Sequence, residues 1–126
     1  MITRLDHLVL TVASIPTTVS FYTEVLGMRE ITFGAGRTAL AFGSQKINLH
    51  EAGKEFEPKA NRPTPGAADL CFISNTSIDS IVTKLRAHGV DIIEGPVVRS
   101  GALGPNVSVY CRDPDGNLIE ISNEKP

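Results

Sequence analysis

Polar and apolar positions alternate over residues 5–12, with Leu8, Leu10 and Val12 on one side and His7, Val9 and Thr11 on the other. A period of two in a run rich in β-branched residues predicts a strand. The period then lengthens. Ser14 can cap a helix whose first turn accepts Pro16, and Val19, Phe21-Tyr22 and Val25-Leu26 form an apolar stripe that stops at Gly27. Three short runs follow at residues 28–33, 37–42 and 46–50, separated by Gly34-Ala35-Gly36 and Gly43-Ser44-Gln45, both tight-turn signals. The first part reads β-α-β-β-β.

Residues 52–66 carry Pro58, Pro63 and Pro65 among five charged side chains and show little periodicity, which predicts a linker. The opening pattern then returns. Residues 67–73 read as a strand, and 78–88 as a helix with Ile78, Ile81-Val82 and Leu85 inward and Gly89 as its stop. Residues 90–98, 106–111 and 117–122 complete three more strands, the last two joined by Asp113-Pro114-Asp115-Gly116. His7-Leu8-Val9-Leu10 lies over Asp69-Leu70-Cys71-Phe72 and Gly27 over Gly89, both at an offset of 62, while Ile47-Asn48-Leu49-His50 lies over Ile119-Glu120-Ile121-Ser122 at 72. The chain repeats its pattern rather than its identities. The expected fold is α+β in a single domain, with module one at 1–51, the linker at 52–66 and module two at 67–126. Each helix must bury its stripe on one sheet face, so two βαβββ modules are expected to form a curved, half-open barrel with the helices outside.

Alternation then assigns side chains to the concave face: His7, Val9 and Thr11 from the first strand, Asn48 and His50 from the fourth, Asp69, Cys71 and Ile73 from the fifth, and Glu120 from the eighth. His7, Asn48, Asp69 and Glu120 occupy repeat-related positions. Unpaired carboxylates resist burial, and a divalent cation compensates them economically. Imidazole with carboxylate oxygens suits Ni²⁺, Mn²⁺, Fe²⁺, Co²⁺ or Zn²⁺, which would polarise a substrate oxygen or hold an activated water. Plainer roles stand beside these. His7 could be a satisfied sheet histidine, Asp69 a turn residue, Glu120 a solvated charge and Asn48 a cross-face hydrogen bonder. His50, about 7 Å beyond Asn48 on the same face, competes for a ligand place or as a general base. His88 at a helix end needs only the helix dipole, and no role is assigned to it.

Charge and composition narrow the classes. Twelve Lys and Arg against fourteen Asp and Glu give a net charge of −2, without a dense basic run for nucleic acid or anionic lipid. Hydrophobic residues at 41% and charged residues at 21% suit a globular domain and exclude disorder as the main state. The N-terminus has no leader-like pattern and no run approaches a membrane span, so a soluble, unprocessed, cytoplasmic protein is expected. Cys71 and Cys111 lie apart in apolar segments, and reduced, buried thiols are the expectation.

Three segments resemble a known family: Leu5-Asp6-His7-Leu8-Val9-Leu10-Thr11-Val12, Phe21-Tyr22-Thr23-Glu24-Val25-Leu26-Gly27-Met28 and Arg112-Asp113-Pro114-Asp115-Gly116-Asn117-Leu118-Ile119-Glu120. They are similar to the vicinal oxygen chelate superfamily, which includes glyoxalase I, fosfomycin-resistance proteins and extradiol dioxygenases. Lys46-Ile47-Asn48-Leu49-His50-Glu51-Ala52-Gly53-Lys54-Glu55-Phe56 and Ser108-Val109-Tyr110-Cys111-Arg112-Asp113-Pro114 look most like the group called glyoxalase domain-containing protein 5. The resemblance implies paired βαβββ modules, a metal held at His7 and Glu120, and a homodimer. Where glyoxalase I has a fourth-strand glutamate this chain has Asn48, and where it has a fifth-strand histidine the chain has Asp69.

The resulting expectation is a metal-dependent, lactoylglutathione-lyase-like enzyme acting on a small oxygenated substrate, with a glutathione or other thiol adduct among the candidates. His7, Asp69, Glu120 and His50 are the expected metal ligands. Glu120 and His50 are the expected catalytic groups, and Asn48, Ser108 and Tyr110 the pocket lining. The alternatives are a metal-free, bleomycin-resistance-like binding protein and an extradiol-type dioxygenase, which needs His50 as its second histidine. Low aromatic content, with no Trp, five Phe and two Tyr, counts against a stacking binder.

Overall fold

The alternating runs of the sequence become strands, each with one side turned to a helix. The computed structural model describes residues 1–125 and falls into two units, Met1–Ala67 and the remainder from Ala68.

In the first unit, β1 (His7–Val12) is followed by α1 (Ile15–Ser20), a π-helical turn (Phe21–Val25), β2 (Arg29–Phe33), β3 (Arg37–Phe42) and β4 (Gln45–Glu51). The sheet order is β1-β4-β3-β2, with β1 parallel to β4 and the other pairs antiparallel. Ser14 caps α1 by accepting from the Thr17 N–H at 3.3 Å, and Pro16 sits where a missing N–H costs nothing. The single helix expected over 14–26 is corrected here. Its last turn is π-helical, Leu26 N–H reaching Phe21 O at 3.4 Å, while the Thr23 hydroxyl donates to Val19 O at 2.7 Å. Thr18, Tyr22 and Val25 are the buried positions, and Val19, Phe21 and Leu26 are only partly covered. With them are buried Leu10, Val12, Leu40, Ile47 and Leu49.

In the second unit, β5 (Asp69–Ile73), α2 (Ile78–Ala87), β6 (Glu94–Gly101), β7 (Gly104–Arg112) and β8 (Leu118–Glu124) form a sheet ordered β5-β8-β7-β6. The topology repeats that of the first unit, with β5 parallel to β8. The core is Ile78, Ile81 and Leu85 of α2 with Val109, Cys111, Ile119 and Ile121. Asn123 fixes the start of α2, accepting from Ile78 N–H at 2.9 Å and donating to Ser74 O and Thr76 O. Asp113 builds the β7–β8 turn: its carboxylate accepts from the Asp115 and Asn117 N–H groups and from the Asn117 side chain at 2.7 to 3.0 Å. Asn117 in turn accepts from Ala68 N–H at 2.9 Å. The turn therefore sets the register of β8 on both neighbours, and with it the position of Glu120.

Two readings of the sequence change. Cys111 is buried as expected, but Cys71, on the face of β5 turned away from α2, is exposed. Residues 52–66, read as a linker, pack on the first sheet: the Phe56 ring lies edge-on to His50 at 5.6 Å, and Ala52 N–H bonds Val12 O at 2.8 Å. Among the described residues no helix is long and apolar enough to cross a membrane.

Candidate functional site

Each unit has a sheet face opposite its helix, and the polar residues singled out from the sequence lie there. In the first unit β1 contributes His7, Val9 and Thr11, β4 contributes Lys46, Asn48 and His50, and β3 contributes Arg37 and Ala39. His7 pairs with Lys46 and Thr11 with His50 in the ladder, so the two histidines stand four residues apart, roughly 13 Å along the strands. His7 is exposed, and its Nδ1 lies 2.9 Å from Asp6, whose carboxyl is held below its usual range chiefly by that hydrogen bond. Asn48 is buried, and its Oδ1 has no hydrogen-bond partner among the described residues. An unmet buried acceptor costs about 1 to 3 kcal/mol, so something must offset it.

His50 is only 3% exposed. Its Nε2 is 3.3 Å from an Arg37 terminal nitrogen, and since arginine only donates, Nε2 accepts. Burial, and then the Arg37 charge, hold the imidazole below its ordinary pKa, opposed by Glu55. Arg37 is itself clamped, its guanidinium 5.1 Å from the Phe33 centroid and 4.7 Å from that of Phe56. Lys46 stands over Phe33 at 3.7 Å. Neither cation has a carboxylate at ion-pair distance among the described residues. A cavity of about 210 Å³ adjoins, lined by Val9, Thr11, His50, Pro58, Lys59 and Ala60.

The second unit presents acids and hydroxyls instead. Cys71 is paired with Glu120 across β5 and β8, and Tyr110 with Glu120 across β7 and β8. The buried Ser108 and Ser122 hydroxyls meet at 2.6 Å, Cys71 Sγ lies 3.3 Å from Ser122 Oγ, and Ser122 donates to Glu120 at 3.4 Å. Arg99 ties the outer edge, donating to Tyr110 Oη at 3.2 Å and to Glu94 at 2.9 Å. Burial raises the Tyr110 phenol above its usual pKa, Glu120 adds to this and Arg99 opposes it. Burial is also what raises the Cys71 thiol, so its exposed sulfur is not an activated thiolate. Asp69 is exposed, and its carboxylate makes no hydrogen bond or ion pair among the described residues.

The expected metal ligands are thus divided, His7 and His50 in one unit, Asp69 and Glu120 in the other. Among the described residues no three His, Cys, Asp or Glu side chains group as a metal would require. Taken alone, neither unit fits a metal ion. Ser108, expected to line the pocket, is fully buried and spends its hydroxyl on Ser122, while Tyr110 remains partly open. The sequence reading missed Arg37, Phe33 and Phe56. A signal for Arg37 existed, because the two-residue turn Gly43-Ser44 fixes the β3–β4 register and carries Arg37 opposite His50. Nothing periodic marked Phe56.

The repeated βαβββ topology and the paired polar faces define the class. The model of the Glyoxalase/Bleomycin resistance protein/Dioxygenase superfamily matches residues 4–121, and the chain belongs to that superfamily. It is 61% identical over 122 residues to Virulence protein STM3117 of Salmonella typhimurium, covering 97% of this chain and 85% of that one. The crystal structure of that protein superposes with a TM-score of 0.97 at 59% identity, over 99% of both chains. Glyoxalase domain-containing protein RDO1 of Mycosarcoma maydis is 57% identical over 119 residues, 94% of this chain and 67% of that one. Metallothiol transferase FosB of Shouchella clausii is 29% identical over 130 residues, 96% of this chain and 80% of that one. Proteins of the superfamily bind small-molecule substrates or ligands.

Proposed function

We propose that this chain is a glyoxalase-type enzyme for a small oxygenated molecule, with Glu120 as its principal catalytic carboxylate. The observation that carries this reading is the setting of Glu120, partly open, opposite the Tyr110 phenol and accepting from Ser122. A carboxylate so held is oriented for proton transfer or for ligation, since its lone pairs face fixed donors. His7, Asp69 and Glu120 are proposed as ligands of a divalent ion, Ni, Mn, Fe, Co or Zn, on the strength of the repeat and the family resemblance. The metallothiol transferase relative supports a metal in this family, and a glutathione or other thiol adduct is retained as a substrate candidate. The likeness of residues 46–56 and 108–114 to the glyoxalase domain-containing protein 5 group, a homodimeric assembly and a cytoplasmic location belong to the same proposal.

A second reading is favoured by a specific observation. The first unit provides a cavity beside an aromatic-clamped arginine, which suits a binding protein of the bleomycin-resistance-like kind. The dioxygenase alternative takes His50 as its second histidine, and the ladder sets His50 four residues along from the level of His7.

Elemental mass spectrometry of protein purified without chelator or affinity tag tests the choice, alongside His7→Ala and Glu120→Ala. About one transition metal per site, lost in both variants, supports the enzyme. Metal content unchanged in the variants, or no uptake of added Ni²⁺, Mn²⁺, Fe²⁺ or Zn²⁺, sinks the ligand set and leaves the binding protein. A monomeric mass by light scattering at micromolar concentration would remove the homodimer.

A further inference from the structure

We propose that His50 acts neither as a base nor as a metal ligand but as a fixed hydrogen-bond donor, through Nδ1–H, to an oxygen acceptor of a compact, partly apolar molecule in the first unit's cavity. Arg37 is the positioning residue that makes it so. The inference rests on the small-molecule reading above and is independent of any metal.

A neutral imidazole has one N–H and one acceptor nitrogen, and a metal or a proton must take the acceptor. At His50 that acceptor is Nε2, and Arg37 already donates to it at 3.3 Å. Arginine stays protonated and cannot reverse the bond. The hydrogen of His50 is therefore on Nδ1, which has no hydrogen-bond partner among the described residues. Two rings, Phe33 and Phe56, hold the guanidinium, so the arrangement is not a chance rotamer of a long side chain.

The cavity supplies the ligand class. Val9, Pro58 and Ala60 are its apolar lining, and Thr11, His50 and Lys59 its polar one. Lys59 is not a free cation, since its ammonium lies 3.8 Å from Glu55 and 3.5 Å from Glu57. With His50 neutral and Lys59 paired to Glu55 and Glu57, the cavity does not demand a strong anion, and the Nδ1–H of His50, with the Thr11 hydroxyl in the same lining, suits an oxygen such as a ketone's or a carboxylate's. At about 210 Å³ it is smaller than the ~300 to 1,000 Å³ of drug-sized sites, so it takes a few-carbon molecule or one arm of a larger one.

Nitrogen-15 NMR of histidine-labelled protein tests this directly at pH 7.5. The expected spectrum shows His50 protonated at Nδ1 and unprotonated at Nε2 in the unmodified chain, and butanone and butyrate each move the Nδ1 signal saturably while butylammonium does not. Butyrate alone active would assign the carboxylate, and butanone alone the carbonyl; both outcomes support the donor role. Arg37→Met is expected to release the tautomer to a mixture, and Arg37→Lys to restore it in part, with β4 amide shifts reporting that the sheet is intact. A His50 found protonated at Nε2 or doubly protonated, a response to butylammonium only or to none of the probes, or a Zn²⁺-induced shift at His50 Nε2 would overturn the proposal. No uptake of added Ni²⁺, Mn²⁺, Fe²⁺ or Zn²⁺, with the His50 tautomer intact, would count against the enzyme reading and leave this one standing.

Discussion

The two units share one topology and differ in what they place on the face away from the helix. The first carries Arg37, Lys46, His7 and His50 with an amide, Asn48; the second carries Asp69 and Glu120 with the hydroxyls of Ser108, Tyr110 and Ser122. The ladder positions correspond. Asn48 faces Val9 as Glu120 faces Cys71, and His50 stands where the second unit has Ser122. Helix-facing positions in both units are apolar and interchangeable in kind, since only burial and volume act on them. The opposite faces have diverged because their chemistry, not their packing, distinguishes them. What the comparison teaches is that a βαβββ unit fixes where a functional side chain stands and leaves open what it is.

The comparison can be broken most forcefully through the second unit's turn. Asp113→Ala removes three hydrogen bonds to a buried carboxylate and should cost about 3 kcal/mol or more in chemical denaturation. Native-state hydrogen exchange should show the loss of protection in β7 and β8 exceeding that in β3 and β4. Equal loss in both sheets would mean that the turn is not local to its unit. Gly95→Ala should be of similar size, because its φ is +106° and an added Cβ would meet the backbone oxygen of Ser108. Gly95 lies where the β6–β7 register shifts between Glu94 and Val97, an irregularity with no counterpart in the first unit's continuous β2–β3 register.

Making the faces alike sharpens the contrast. Asn48→Glu gives the first unit the carboxylate of the second, but at a buried site, and should destabilise by about 2 kcal/mol at pH 7. If it also raises metal uptake, the repeat-related positions share one role. Asn48→Leu removes the unmet acceptor and should stabilise by about 1 kcal/mol in the same assay. Destabilisation would reveal a partner for Oδ1.

The smallest effect concerns acid. The folded pKa of His50 is lowered from the unfolded value of 6.5 by burial and by Arg37, with Glu55 opposing; Lys59 lies on the same cavity and Phe56 against the ring. The unfolded chain then binds the proton more readily, so this group's stabilisation is fully present above pH 6.5 and declines as the pH falls through the folded value. His50→Gln should flatten that part of the stability profile. Ser122→Ala in the second unit should leave it unchanged, since a serine does not titrate there. A slope that survives His50→Gln would place the titration elsewhere.

Much of the fold was legible because burial writes itself as a period. Every strand and both helices were located from alternation, turns and stops, and the β-α-β-β-β repeat followed from two offsets. The π-helical turn was not legible, since Phe21-Tyr22 and Val25-Leu26 satisfy an α-helical stripe equally well and only the Thr23 hydroxyl bond and packing choose between them. The face assignments of His7, Asn48, His50, Asp69 and Glu120 were legible for the same reason as the strands. Their company was not. Arg37 beside His50 needs a cross-strand register, and Phe56 against both needs a segment without periodicity to fold back.

The sequence by itself determined which residues alternate, where the chain turns, and that the pattern occurs twice, because these follow from local sterics and the burial of one face. Only the tertiary structure decided that Arg37 takes the lone pair of His50, that Cys71 is exposed, and that Ser108 is sealed against Ser122. Those outcomes depend on which distant side chain arrives opposite, and a hydrogen bond's direction is set by the partner it meets.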